Sequence, residues 1–474
     1  MLFALIVLPL IFAFLLSISF FARNPLIIRT FSRLGFFVQF VISSVFLCVN
    51  EEIGFDIFGI DFLFNKMTFS FLFLASLIFF LFSIISKTFI QKLHRVFYAS
   101  AFLILGLINI AISVDNIFVF LTMLFWVLLL SYFLAVSFSD KNVKKALDTQ
   151  LLCDLLCLFA AISLILKEFA RYFVVNEINF AFSNLINYLY KIDDVSIVLA
   201  FFGFLMILGR LFNFIPFCAK NMSNAGKINS FVFALNSIIN LILACVLFVK
   251  CYVNFDYLFY QYQDEIVIFL IINLLIYTFL TLKQRRLFKF LTSIFIINSI
   301  VAIFSTFSFA PESIANFIYF ALVLSLSYSL CAFVFMILKN KFKTDDIDEF
   351  KKIEDKTRLT QTFVSLALLN IAPIPLTPLF GAVSIGFLMI FSTEYEGEIL
   401  NIVPYCLIIA LFLTSLAVFG ILHKIMAEPV QKAKKIIAFS NHQVVVCFTL
   451  VLVLFFFAIF MQNICKLFIE SGQI

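Results

Sequence analysis

Charge is what this chain has least of. Asp, Glu, Lys and Arg make up 13% of its 474 residues, about half the share of an ordinary soluble domain. No stretch is long and polar enough to be a soluble domain. The longest polar segment, Lys339 to Arg358, contains DDIDEFKKIEDK and reads as a solvated loop or a docking surface for a partner. Histidine is almost missing: His94, His423 and His442 all fall at or near the ends of apolar runs, where solvated edge positions are expected. The ten cysteines are scattered. Cys153 and Cys157 are one helical turn apart, but no histidine or second pair joins them, so neither a metal nor a disulfide framework is implied. There is no phosphate-binding glycine loop and no nucleophile with a base in reach. These absences argue against a self-contained soluble enzyme.

What remains is apolar. Hydrophobic residues account for 64% of the chain, and 71 residues are Phe. Mean hydropathy is +1.15. Charges fall in short gaps between runs of about 20 apolar residues, the length of a bilayer-crossing helix. A membrane core must satisfy its backbone hydrogen bonds internally, and runs this long do so as helices, not as a barrel. We expect an all-α polytopic protein of fourteen spans, near 1–21, 27–49, 68–86, 96–114, 116–138, 149–166, 195–213, 229–249, 266–282, 288–309, 314–338, 360–392, 401–423 and 443–466. The first run lacks a basic leader and an A-x-A-like cleavage site, and reads as a retained helix.

The gaps alternate in charge. Odd-numbered gaps hold 27 of the 33 basic residues; the even gaps and the C-terminal tail hold Lys66, Lys167, Arg171, Lys191, Lys250 and Lys466. The positive-inside rule then makes the odd gaps cytoplasmic and puts both termini outside. The net charge of +6 reads as topology, and nucleic acid is not implied. Prolines punctuate two places: Pro216 after span seven, and Pro373, Pro375 and Pro378 inside span twelve. Proline removes a helical donor and clashes with the preceding turn, so both spans should break. The breaks lie five spans apart, as expected of two inverted five-helix repeats. The expected division is 1–95, 96–250, 251–425 with a loop at 339–358, and 426–474.

One carboxylate lies squarely inside a span: Asp154, in LLCDLLCLF. Asp115 falls at an edge. An intramembrane acid is a functional hypothesis by default. Its candidate partner is Arg210 or a Lys of the cytoplasmic gaps, with three readings: a static pair that fixes helix packing, a piece of an ion path, or an acid that lies closer to the membrane surface. Asn213, Asn221, Asn224, Asn229, Asn236 and Asn240 cluster around spans seven and eight, as interhelical glue or as the lining of a hydrated half-channel. The proton-path candidates are therefore Asp154, Arg210, Asn236 and Asn240.

Several segments together resemble the antiporter-like L, M and N subunits of respiratory complex I, a group shared with multisubunit sodium/proton antiporters. They are GFDIFGIDFLFNKMTFSFLFLASLIFFLFSI with Asp61, VDNIFVFLTMLFWVLLLSYFLAVSFSD, ILGRLFNFIPFCAKNMSNAGKINSFVFALNSIINLILACV, LKQRRLFKFLTSIFIINSI, and IEDKTRLTQTFVSLALLNIAPIPLTPLFGAVSIGF. Their order and spacing match over nearly the whole chain, and length favours the N type. The resemblance implies a bacterial inner-membrane subunit of a proton-pumping NADH–quinone oxidoreductase. Such a subunit has no cofactor or redox centre of its own. Its partners would be other membrane subunits, lipid and protons, with quinone and NADH met only through the whole complex. A cation/proton antiporter subunit of the same fold, or a non-transporting scaffold paralogue, are the alternatives. The departures are specific. The family has Glu after the Trp of its fifth helix; here Trp126 precedes Val127. Arg210 stands near the family's seventh-helix Lys. The eighth helix offers Asn236, Ser237 and Asn240 in place of Lys or His. Val383 sits near the twelfth helix's Lys or Glu.

Overall fold

The structure is a computed structural model. It describes residues 2–470, apart from 19–23, 49–51, 58, 91, 140, 173–193, 215–228, 349–352, 355–358, 376, 393–399, 427–434 and 437–438. Pro216, Asn221 and Asn224 lie outside the described residues. The chain divides into two compact units, 1–212 with 227–258, and 213–226 with 259–472.

The first unit holds α1 (Leu2–Ser17), α2 (Pro25–Leu47), the hairpin β1 (Ile53–Ile57) and β2 (Ile60–Phe64), α3 (Lys66–Phe89), α4 (His94–Ser113), α5 (Ile117–Ser137), α6 (Lys141–Tyr172), α7 (Asp194–Leu211) and α8 (Ser230–Asn254). Asparagine starts four of these helices: Asn24, Asn65, Asn116 and Asn229 each accept a first-turn N–H, which satisfies a donor that the helix itself leaves open. The hairpin turns at Gly59, whose φ of 76° suits glycine, and the Gly59 N–H donates to Asp56 at 3.0 Å. α3 and α8 are buried along most of their length, whereas α2 and α6 are mostly exposed. The central helices fill the interior of the unit, and the outer ones leave Leu and Phe side chains exposed.

The second unit begins with the short α9 (Asp256–Gln261), then α10 (Gln263–Lys283), α11 (Leu287–Phe304), α12 (Pro311–Phe342), α13 (Leu359–Ile371), α14 (Pro378–Ser392), α15 (Val403–Met426), α16 (Asn441–Ile459) and α17 (Met461–Glu470). α12 is its hub, packing against α11, α13, α14, α16 and α17. α16 opens with a capping box between Ser440 and Gln443.

Every expected span meets a helix. Eleven are long and apolar enough to cross a membrane, and α1, α7 and the α13–α14 pair are shorter apolar helices. The gap contacts agree with the count. In the first unit, even gaps two and four meet: Asp115 N–H donates to the Asp61 carbonyl at 2.9 Å, and within gap two the Lys66 ammonium donates to the Leu47 carbonyl at 2.7 Å. Lys250, expected in a gap, lies inside α8 and donates to the Val114 carbonyl. In the second unit, odd gaps meet: Leu287 N–H donates to the Asp345 carbonyl at 2.9 Å, Ile347 N–H to the Arg285 carbonyl at 2.7 Å, and Lys424 pairs with Asp348 at 3.2 Å. A miscounted helix would have mixed the two sets.

Lys250 also lies 5.8 Å from the Phe120 ring centre, with Asp115 nearby. It ties α8 to the α4–α5 turn. Lys250→Met is expected to cost about 1.5–3 kcal/mol, the worth of a hydrogen bond from a charged donor, read as a fall in thermal stability in detergent.

Candidate functional site: a buried ion pair and a broken helix

Asp154 and Arg210 meet in the first unit. α6 and α7 pack along each other, and Arg210 Nε and one terminal guanidinium nitrogen each donate to a separate Asp154 carboxylate oxygen. This is the planar, two-bond fork that arginine makes and lysine cannot. The pair is buried: Arg210 is 5% exposed and Asp154 8%. Asp154 lies 13 residues into α6, about 20 Å along its axis. Arg210 occupies the last turn of α7, where a cation also favours the negative end of the helix dipole. α7, at 18 residues, ends at the depth of Asp154. One turn on, the Cys157 thiol donates to the Met206 carbonyl at 3.7 Å, a further α6–α7 contact, while Cys153 is exposed.

The asparagines act as caps and clamps. Asn229 caps α8. Asn236 donates to the Ser131 carbonyl of α5 at 3.1 Å. Asn240 is half-buried one turn further along α8. Asn213 is buried in the second unit with φ 60°, and its carbonyl accepts from Tyr277 at 3.1 Å. Amide clamps of this kind are the interhelical glue of membrane bundles. Trp126 is half-exposed on α5, and Val127 is fully buried. His94 departs from its expected solvated edge. It is buried at the start of α4 against an Arg29 guanidinium nitrogen, 2.9 Å from its Nε2; His423 and His442 are exposed.

In the second unit the prolines do break span twelve. α13 stops at Ile371, Pro373 and Pro375 lie in the turn, and Pro378 starts α14. Broken helices need their freed backbone groups satisfied. Asn298 of α11 donates to the Ile371 carbonyl at 2.9 Å, and Asn316 of α12 to the Ala382 carbonyl at 3.2 Å. Both amides are buried. Sequence reading missed these two clamps because an asparagine inside an apolar run carries no charge signal. Asn298→Leu is expected to cost about 1–3 kcal/mol by orphaning the Ile371 carbonyl, seen as a lower denaturation midpoint.

Around this break the chemistry is neutral. Among the described residues of the second unit, no Asp, Glu, Lys, Arg or His is buried. Its interior polar groups are Ser, Thr, Asn and Tyr, including Ser325, Ser327, Ser329 and Tyr328 on α12. Val383 is buried on α14. A cleft of about 610 Å³ opens between α14 and α15, lined by Phe380, Phe387, Leu388, Ile408 and Phe412 among others, and no ionisable side chain lines it. Among the described residues no cluster of His, Cys, Asp or Glu is arranged to hold a metal.

No protein-family profile matches the sequence, and no curated protein matches it. Solved structures do. A chain of respiratory complex I from Thermus thermophilus with bound NADH superposes with a TM-score of 0.83 at 14% identity, covering 100% of this chain and 98% of that one. The chain has an antiporter-like complex I fold. A chain of the membrane-bound sulfane sulfur reductase, an archaeal respiratory membrane complex, gives a TM-score of 0.82 at 12% identity, covering 100% and 97%. A chain of the Mrp complex from Dietzia sp. DQ12-45-1b gives 0.79 at 13%, covering 99% and 96%. The likeness runs end to end, as the order of the sequence segments implied. It falls on three kinds of complex and does not single out the N type.

Proposed function

We propose that this protein is an antiporter-like membrane subunit of a multisubunit, complex I-like assembly in a bacterial inner membrane, with both termini on the outer side. The observation that carries the proposal is the whole-length likeness to chains of three multisubunit membrane complexes. Other membrane subunits are then its direct partners. Quinone and NADH are met only through the whole complex.

Within that assembly we assign it a reduced part in proton translocation. Stepwise proton transfer through a low-dielectric interior needs groups that change charge and shift one another's pKa. The first unit pairs Asp154 with Arg210, and arginine hardly ever releases its proton; its other enclosed ionisable groups, His94 and Lys250, sit near helix ends. Among the described residues of the second unit no ionisable side chain is fully buried, and the half-buried Lys339 lies near the end of α12 beside the Phe288 ring. This favours a subunit that completes the membrane arm structurally over a free-standing cation/proton antiporter, which would need several buried ionisable groups.

Mild-detergent purification of the tagged native protein, with its partners identified by mass spectrometry, tests the reading. Recovery with peripheral flavin and iron–sulfur subunits is expected. Recovery alone, or with only small membrane proteins, overturns it in favour of an antiporter or scaffold role.

A further inference from the structure

In the first unit, the ends of α1 and α3 and the starts of α2 and α4 gather three arginines and no acid. Arg29 and Arg33 lie four residues apart on α2, on one face. Arg29 donates to the Ile90 carbonyl at 3.4 Å. Arg33 donates to the Ser83 and Ile84 carbonyls at 3.3 and 3.0 Å. Arg95 donates to the Leu16 carbonyl at 2.9 Å and to the Ser17 carbonyl. All three are half-buried, and the exposed Lys87 and Lys92 lie in the same gap. Among the described residues, no carboxylate pairs with any of the three arginines. Their partners are carbonyls near the C-terminal ends of α1 and α3 and, for Arg29, the His94 Nε2 at 2.9 Å; the helix ends carry only about half an elementary charge each, so positive charge is left over. The first turn of α4 adds to it, because Leu93 gives that helix no side-chain cap.

Directly beyond Arg33, the outer face of α2 is bare and apolar. Leu34, Phe37, Val41 and Val45 are 40–60% exposed. Their spacing of three or four residues puts them in one row. From Leu34 to Val45 the row runs about 16 Å along the helix, close to half of a bilayer's hydrocarbon thickness. A cationic cluster at the head of a one-leaflet apolar row has the dimensions and polarity of a phospholipid.

We propose that this face of α2 is a binding site for one anionic phospholipid. Its phosphate is held by the guanidinium N–H groups of Arg29 and Arg33 that the carbonyls and His94 leave free, as charge-assisted hydrogen bonds. One acyl chain lies along Leu34, Phe37, Val41 and Val45. Arg95, Lys87 and Lys92 select for negative headgroup charge through the field they add. The site is independent of the complex the protein serves.

Native mass spectrometry of the purified, delipidated protein, given either phosphatidylglycerol or phosphatidylcholine, tests it. One phosphatidylglycerol is expected to stay bound in clear preference. The preference should fall about fivefold for each arginine removed in R29Q and R29Q/R33Q, and stay unchanged in K283Q, which removes a cation elsewhere. Equal retention of both lipids, or an unchanged preference in R29Q/R33Q, overturns the proposal. So does equal stabilisation of the wild type by inorganic phosphate, which would make the ligand a free anion. The arginines also cap helices, so a second measurement leaves them in place. A photo-crosslinking phenylalanine derivative at Leu34, activated in native membranes, should capture lipid; capture of a protein subunit would make this face a protein interface and sink the lipid site.

Discussion

Asp154→Asn and Arg210→Met should each destabilise the protein by roughly 3–5 kcal/mol, because each breaks a buried, two-bond ion pair by removing one partner. The pair is almost fully excluded from solvent and joins two helices that pack along their length, so there is no water to take over the lost contact. An apolar replacement of both, Asp154→Leu with Arg210→Met, should recover most of that loss, since the desolvation of two ions disappears with them. Guanidinium or thermal denaturation in detergent of the four proteins measures the cycle. Recovery in the double variant identifies the pair as a packing device. The alternative role, a surviving piece of an ion path, predicts a different result: Asp154→Asn assembles normally and pumps less. Normal assembly with normal pumping would remove the pair from both roles.

How far the sequence could be read depended on charge. The fourteen spans were legible because charge is excluded from hydrocarbon, so that the gaps marked themselves. The odd–even bias of Lys and Arg anticipated which gaps would meet, at Leu287 with Asp345 and at Asp115 with Asp61. The Asp154–Arg210 pair was legible for the same reason: a charge inside an apolar run needs a partner, and few were on offer. The break of span twelve followed from three prolines. Neutral polarity was not legible. Asn229 as a cap, Asn236 as a clamp on α5, and Asn298 and Asn316 as clamps on a broken helix are the same residue type in similar apolar surroundings. Only the backbone carbonyl or N–H opposite each one decides its part. Lys250 failed in the other direction. Its charge suggested a gap, whereas a long aliphatic stem lets its ammonium reach the Val114 carbonyl from inside α8,.

The second unit carries the other large prediction. Val383 stands near the point where the resembling family has Lys or Glu, and it is 5% exposed. Putting the amine back, as Val383→Lys, should not restore a proton path. It should cost about 3 kcal/mol or more, because an ammonium would enter the apolar cleft that Val383 lines, where no ionisable side chain among the described residues is present to pair with it,. Val383→Leu or Val383→Met, of similar apolar character, should cost less than about 1.5 kcal/mol. Folded yield and detergent melting temperature separate the two outcomes. If Val383→Lys folds as well as wild type, the interior around the helix break is hydrated, and the neutral reading of this unit fails. If it is lost while Val383→Leu survives, the family's charged position has become part of an apolar core. The Asn298 and Asn316 amides then hold the break in place without any group able to change its charge.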